Sequence, residues 1–220
     1  MYTPITEPWL RSDIERFHDR IMNDPSVVDP DMVVHHEFAN GEHGRKADYD
    51  KIPDGSELFI QWMGLFSRTI ISLHPGRLPD ALVGVANGGN RIAQTAAYLL
   101  GSGVTALTTE KTNENTVRLD GESLAKLAEI GIKYALIVDD VGTTGGTMLT
   151  AAQDLQEHGV TFVKALNGHQ RTASLPRLRA ADVEYDAMMV DTSLPTFTEE
   201  QCKTLPNGYC AKKVRLVRHK

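Results

Sequence analysis

"KYALIVDDVGTTGGTMLTAAQDLQEHG", residues 133–159, decides how the rest of the chain is read. An apolar run ends in Asp139 and Asp140, passes through a turn rich in Gly and Thr, and continues as a segment of helical composition that stops at Gly159. A strand over 133–140 and a helix starting near Gly146 leave Val141, Gly142, Thr143, Thr144, Gly145, Gly146 and Thr147 as the loop at the helix N-terminus. Unpaired N–H groups there, aided by the helix dipole, favour a phosphate. Glycines let the backbone approach the ligand, and the threonines add hydroxyl donors. The two carboxylates would repel a phosphate, but they suit the vicinal hydroxyls of a ribose, from which each can accept hydrogen bonds. The pattern asks for a ribose 5-phosphate. A Walker A loop does not fit, because no Lys follows the glycines, and a dinucleotide fingerprint places its acidic residue about 20 positions after them.

Outward from this stretch, "DALVGVA" (80–86), "VTALTT" (104–109), "VTFVKAL" (160–166) and "YDAMMVD" (185–191) are short apolar runs. Helical segments such as "NRIAQTAAYLLG" (90–101) lie between them and end at Gly. Buried strands joined by helices predict a parallel sheet with right-handed crossovers, whose ligands sit beyond the carboxyl ends of the strands. Upstream, Leu10, Ile14, Phe17 and Ile21 recur at helical spacing, with "SDIE" (12–15) in the form of a capping box. A second amphipathic helix is predicted from about Ser56, with Leu58, Phe59, Trp62, Leu65, Phe66 and Ile70 on its apolar face. The expected organisation is N-terminal helices and a hood segment over 1–76, an α/β core over 77–192, and a C-terminal tail over 193–220 packing near the hood.

A chain of 220 residues, 41% hydrophobic and 24% charged, has enough apolar material for a sizeable core. With 23 Lys plus Arg against 29 Asp plus Glu, the net charge of −6 argues against nucleic acid as a partner. No apolar run is long enough to cross a bilayer, and "MYTPITEPWLRSDIERF" lacks the apolar core of a signal peptide, so a cytoplasmic protein without a membrane partner is expected. Cys202 and Cys210 are the only cysteines; their spacing matches no common zinc signature, and they are expected to be packed thiols. His35, His36 and His43 are expected at a polar loop or strand edge, with a contact to base or pyrophosphate as the alternative, rather than at a metal.

"LIVDDVGTTGGT" (136–147) resembles the phosphoribosyl pyrophosphate signature of type I phosphoribosyltransferases. The resemblance implies an α/β fold of that type, a parallel sheet flanked by helices with an N-terminal helical and hood elaboration. It implies that Asp139 and Asp140 meet the ribose hydroxyls and serve catalysis, while the loop from Val141 to Thr147 holds the 5-phosphate. "DALVGVANGGNRIA" resembles the family's first strand and pyrophosphate loop, which gives Ala86, Asn87, Gly88 and Gly89 to the leaving group. "FANGEHGRKADYDKI" (38–52), "ALTTEKTNENTVRL" (106–119) and "SLPTFTEEQC" (193–202) are similar to segments of the orotate phosphoribosyltransferase branch. By that similarity Lys111 and Arg118 belong to a polar mobile loop that closes over the pyrophosphate, and Arg45 and Lys46 roof the site.

The chain departs from the branch after the fifth core strand, where an Arg would meet the base carboxylate. "LNGHQR" puts His169 at that place and Arg171 two residues on, so the base contact falls to one or the other. The resemblance further implies Mg²⁺ held through the substrate, with Asp139 and Asp140 as the protein ligands it could take. It also implies phosphoribosyl pyrophosphate and an orotate-like base as partners, and a homodimer. Two other readings stay open: a different purine or pyrimidine acceptor, and a non-catalytic regulator that senses phosphoribosyl pyrophosphate.

Overall fold

The apolar runs pair as predicted in a computed structural model that describes residues 5, 7–29, 34–37, 42–113, 116–171, 175–191 and 196–218. Parts of segments singled out above, residues 38–41, 114–115 and 193–195, lie outside the described residues. In chain order the elements begin with α1 (Pro8–Met22), β1 (Val34–Glu37), β2 (His43–Gly44), a 3-10 turn (Tyr49–Lys51), α2 (Glu57–Leu73) and β3 (Ala81–Gly84). Then come α3 (Ala86–Leu100), β4 (Thr105–Asn113), β5 (Thr116–Leu119), α4 (Gly121–Ile130), β6 (Tyr134–Gly142) and α5 (Gly146–Glu157). The chain continues through β7 (Phe162–Gln170), α6 (Pro176–Ala180), β8 (Glu184–Val190), β9 (Thr196–Phe197), α7 (Glu199–Thr204) and β10 (Arg215–Arg218).

A six-stranded sheet runs β5-β4-β3-β6-β7-β8. Its strands are parallel from β4 to β8, and only β5 is antiparallel. Because β3 is followed on one side by β4 and paired on the other with β6, the strand order switches direction there, the place where such sheets form a ligand crevice. Successive residues of each strand face opposite sides. Leu82, Leu136, Val138 and Leu166 pack with α1, α2 and α3 on one side. Val83, Ala135, Ile137 and Ala165 pack with α4, α5 and α6 on the other.

The N-terminal helices therefore belong to the core layer rather than to a separate body: Leu10, Phe17, Trp62 and Phe66 are buried in the same cluster as the sheet. Helix α1 starts at Pro8, upstream of the expected capping box, because Pro at the first helical positions needs no N–H partner. Ser12 and Asp13 consequently lie inside the helix, where both contact Arg16. Helix α4 lies outside the predicted helical segments; Asp120 caps its N-terminus, accepting from the Ser123 amide, and Gly131 ends it in the left-handed conformation.

The described residues of the stretch expected as a polar loop are strands: β4 continues to Asn113 and pairs antiparallel with β5, Glu110 beside Arg118 and Lys111 beside Val117. A second, four-stranded sheet, β10-β1-β2-β9, joins the segment around His35 and His43 to the C-terminal tail. Among the described residues no helix is long and apolar enough to cross a membrane.

Candidate active site

Strand β6 delivers the two acids to the mouth of the crevice. Val138 is fully buried, whereas Asp139 and Asp140 are partly open. Asp139 Oδ1 accepts the backbone N–H of Asp140 at 3.0 Å, and Asp140 Oδ1 accepts that of Val141 at 2.7 Å. Each carboxylate is thus oriented by the next peptide. Burial, and then the Asp140 charge, hold Asp139 well above the ordinary carboxylate range. Burial followed by the Asp50 charge raises Asp140 in the same direction.

The loop that follows depends on glycine at specific places. A Cβ on Gly142 would lie 2.6 Å from the Asn167 side-chain amide, and Gly145 has φ 76°, in the left-handed region. Helix α5 begins at Gly146, so its unpaired amides open onto the loop. Arg177, on α6, donates its backbone N–H to Thr144 O at 3.2 Å. Its guanidinium covers Gly146, where a Cβ would meet Nη1 at 2.9 Å.

A cleft of about 340 Å³ opens above these groups, lined by Val141 to Met148, Asp139, Asp140, Arg171 and Arg177. Its far side is the segment after β2, including Lys46, Asp48 and Asp50. Arg177 and the start of α5 make the part of the cleft at Gly146 cationic, Asp140 and Asp50 meet beside Gly88, and Lys46 is paired with Asp48 at 2.9 Å. Such a division of charge suits an anion joined to a polyol.

The turn after β3 lies beside the acids. Ala86, Asn87, Gly88 and Gly89 form the first turn of α3 rather than an open loop. A Cβ on Gly88 would fall 2.7 Å from Asp140 Oδ2 and 3.1 Å from Asp50 Oδ1; one on Gly89 would fall 2.5 Å from Val138 O. The expectation that Ala86 offers its amide to a ligand is corrected, because that N–H donates to Thr109 Oγ1 at 2.8 Å. Thr109 Oγ1 in turn donates to Gly84 O at 2.8 Å.

His169 also departs from expectation. It is fully buried, does not line the cleft, and contacts Tyr49 Oη through Nδ1 at 3.1 Å and Asp191 through Nε2 at 3.8 Å. Asp191 reaches His18 at 3.0 Å, so these groups form a polar core under the cleft. Burial, only partly opposed by Asp191, lowers the His169 pKa to about 4, so the ring is neutral at physiological pH and is no cation for a carboxylate.

Arg171 is the residue of the pair that borders the cleft. Burial brings its pKa down to about 10, which leaves it charged at neutral pH, and one Nη donates to Arg45 O at 2.7 Å. Lys111 and Arg118 are exposed on the β4–β5 hairpin and are not among the cleft-lining residues. Two groups escaped the sequence reading. Asp50 had no spacing relation to Asp140, and Arg177 sits on a five-residue helix whose sole advance signal was Pro176.

Solved structures share this fold at low identity. A phosphoribosyltransferase from Corynebacterium diphtheriae is 20% identical, with a TM-score of 0.59 over 81% of this chain and 96% of that one. Orotate phosphoribosyltransferase of Mycobacterium tuberculosis H37Rv, in complex with 5-phospho-alpha-D-ribosyl 1-diphosphate, is 16% identical, with a TM-score of 0.54 over 84% of this chain and 91% of that one. Adenine phosphoribosyltransferase from Trypanosoma brucei, in complex with AMP, pyrophosphate and ribose-5-phosphate, is 17% identical, with a TM-score of 0.54 over 87% of this chain and 83% of that one. No curated protein sequence matches significantly. The acids, the loop of α5 and the switch point of the sheet all lie within residues 48–194, which match the phosphoribosyl transferase domain, and the chain belongs to that family.

Proposed function

We propose that the protein is an enzyme that transfers ribose 5-phosphate from phosphoribosyl pyrophosphate to a nitrogenous base, with orotate as the acceptor. The observation that carries the transfer reading is the pairing of Asp139 and Asp140 with the Thr143–Thr147 loop in one cleft, with Arg177 over Gly146. The loop amides and threonine hydroxyls hold the 5-phosphate, and Arg177 adds a charge-assisted contact. The carboxylates accept from the ribose hydroxyls and face the ring as positive charge develops at C1. The turn at Asn87–Gly89 adjoins these acids and holds the pyrophosphate end. Asp50, Asp139 and Asp140 are a hard oxygen set that fits Mg²⁺, which when bound would neutralise charge on the pyrophosphate. Lys111 and Arg118 assist departure when the hairpin closes over the cleft and excludes water.

Orotate is favoured over a neutral purine because Arg171, charged and buried at the cleft, adds a cation besides Arg177, while Lys46 is paired with Asp48. A base carboxylate uses such charge and adenine does not. The assay is pyrophosphate release from phosphoribosyl pyrophosphate and Mg²⁺ with orotate, uracil, adenine, guanine and hypoxanthine offered singly. Orotate-dependent release is expected, weakened at least tenfold in kcat/KM by Arg171→Ala. Release with adenine alone would replace the acceptor, and no release with any of the bases would leave the sensing regulator. The proposal includes a homodimer, which light scattering on the purified protein tests.

A further inference from the structure

Four residues that the sequence scatters over most of the chain meet in the small sheet. His35 lies on β1, His43 on β2, Cys202 on α7 and Cys210 in the turn that leads to β10. One ligand atom from each lies within 4.8 Å of all the others. Cys210 Sγ is 3.3 Å from His35 Nε2 and 3.3 Å from His43 Nδ1. Tetrahedral zinc with bonds of about 2.3 Å to sulfur and 2.0–2.1 Å to nitrogen would set its ligand atoms roughly 3.3–3.8 Å apart. The cluster is close to that size before any ion is placed in it.

We propose that His35, His43, Cys202 and Cys210 bind a structural zinc ion. Its chemistry suits the place. Two thiolates and two neutral imidazoles balance a divalent cation, so the finished site carries no net charge where His35, His43 and Cys202 are at most 2% exposed. All four coordination positions come from the protein, which leaves none for a substrate and marks the site as structural. The backbone N–H of Cys210 donates to Cys202 Sγ at 3.2 Å, the kind of outer contact that steadies a thiolate ligand. The mixed sulfur and nitrogen set favours zinc over Mg²⁺ or Ca²⁺.

The surrounding structure also needs such a tie. β2 and β9 are two residues long, and the local apolar cluster consists of Phe197, Cys202, Tyr209 and Val214 with Cys210 against it. A core that small does not hold strands of this length by burial alone. Zinc would join β1, β2, α7 and the β10 turn, and β2 leads directly into Arg45 and Lys46. Arg45 is fastened on both sides: its guanidinium donates to Asp29 O at 2.9 and 2.7 Å, and its carbonyl accepts from Arg171. The ion would therefore hold the roof over the cleft while lying outside it.

The test uses untagged full-length protein purified without chelator under reducing conditions. Elemental analysis should find about one zinc per chain, or one after incubation with zinc salt, and the Cys202→Ser/Cys210→Ser variant should lose it. Cobalt substitution supplies a readout on the unmodified chain. Thiolate-to-cobalt charge transfer and tetrahedral ligand-field bands are expected, with the charge transfer reduced in Cys210→Ser and the ligand-field bands altered in His43→Ala. Chelation should lower the melting temperature and increase hydrogen exchange in β1, β2 and β10 while β6 and β7 stay protected. Stoichiometric zinc with no thiolate signature, no zinc uptake by folded reduced protein, or zinc retained at full occupancy by the double-serine variant would each overturn the proposal.

Discussion

Asp140 is kept in a position that costs the empty protein stability. Its raised pKa means that the folded state binds the proton more tightly than the unfolded chain does. The stabilisation this gives is complete below the ordinary carboxylate value and is lost as pH rises through the raised one. Asp140→Asn should therefore raise the melting temperature of the ligand-free protein at pH 7, by an increment that shrinks toward zero as pH falls to about 4. The same variant should reduce turnover by orders of magnitude, as steady-state kinetics would register. Arg177→Ala should raise the KM for phosphoribosyl pyrophosphate by roughly tenfold to a hundredfold, the value of a charge-assisted phosphate contact, with a smaller change in kcat. His169 acts in the opposite sense to Asp140: its pKa of about 4 means that stability present above about pH 6.5 is lost as the medium is acidified toward 4. His74, also lowered to about 4 by burial, adds to the same slope. His169→Gln should flatten that acid limb in thermal denaturation while leaving the KM for orotate within about twofold.

At the scale of elements, the turn after β3 and the loop before α5 were readable because their composition has a direct backbone meaning. Gly145 supplies a left-handed residue, and Gly88 and Gly89 permit contact with β6. Gly89→Ala should destabilise the protein by about 2–4 kcal/mol, since its Cβ would press on a strand carbonyl that cannot turn aside. Urea denaturation measures this directly. The strand pairing of β4 with β5 has no sequence signal, for an equally physical reason. "EKTNENTV" is polar enough for a loop, yet β4 and β5 form an edge whose outward face needs no apolar residues. Lys111→Ala should lower kcat at least tenfold with little change in phosphoribosyl pyrophosphate affinity if the hairpin closes over the cleft; equal loss in both would remove that role. The helices were legible from apolar spacing, but Pro8 displaced the first cap. The five-residue α6 was too short to show a period, and the cation it carries was missed with it.

For the molecule as a whole, the sequence made the large sheet plain and the small one obscure. Strands of the former are apolar runs of several residues joined by helices, a pattern with local signals throughout. The latter is assembled from pieces at opposite ends of the chain, and neither the two-residue β2 nor β9 has a periodicity to detect. The same separation hid the His and Cys cluster, whose members are neighbours only in space. It also has a temporal consequence. β1 pairs in parallel with β10, Val34 beside Arg215, so its partner lies far along the chain, whereas the strands of the larger sheet pair over shorter separations. The acids and the loop before α5 can be in place while the lip of the cleft is still unfinished. Pulse-labelled refolding should find amides of β6 and β7 shielded in an earlier kinetic phase than those of β1 and β10, giving the catalyst a late, reversible final step of assembly.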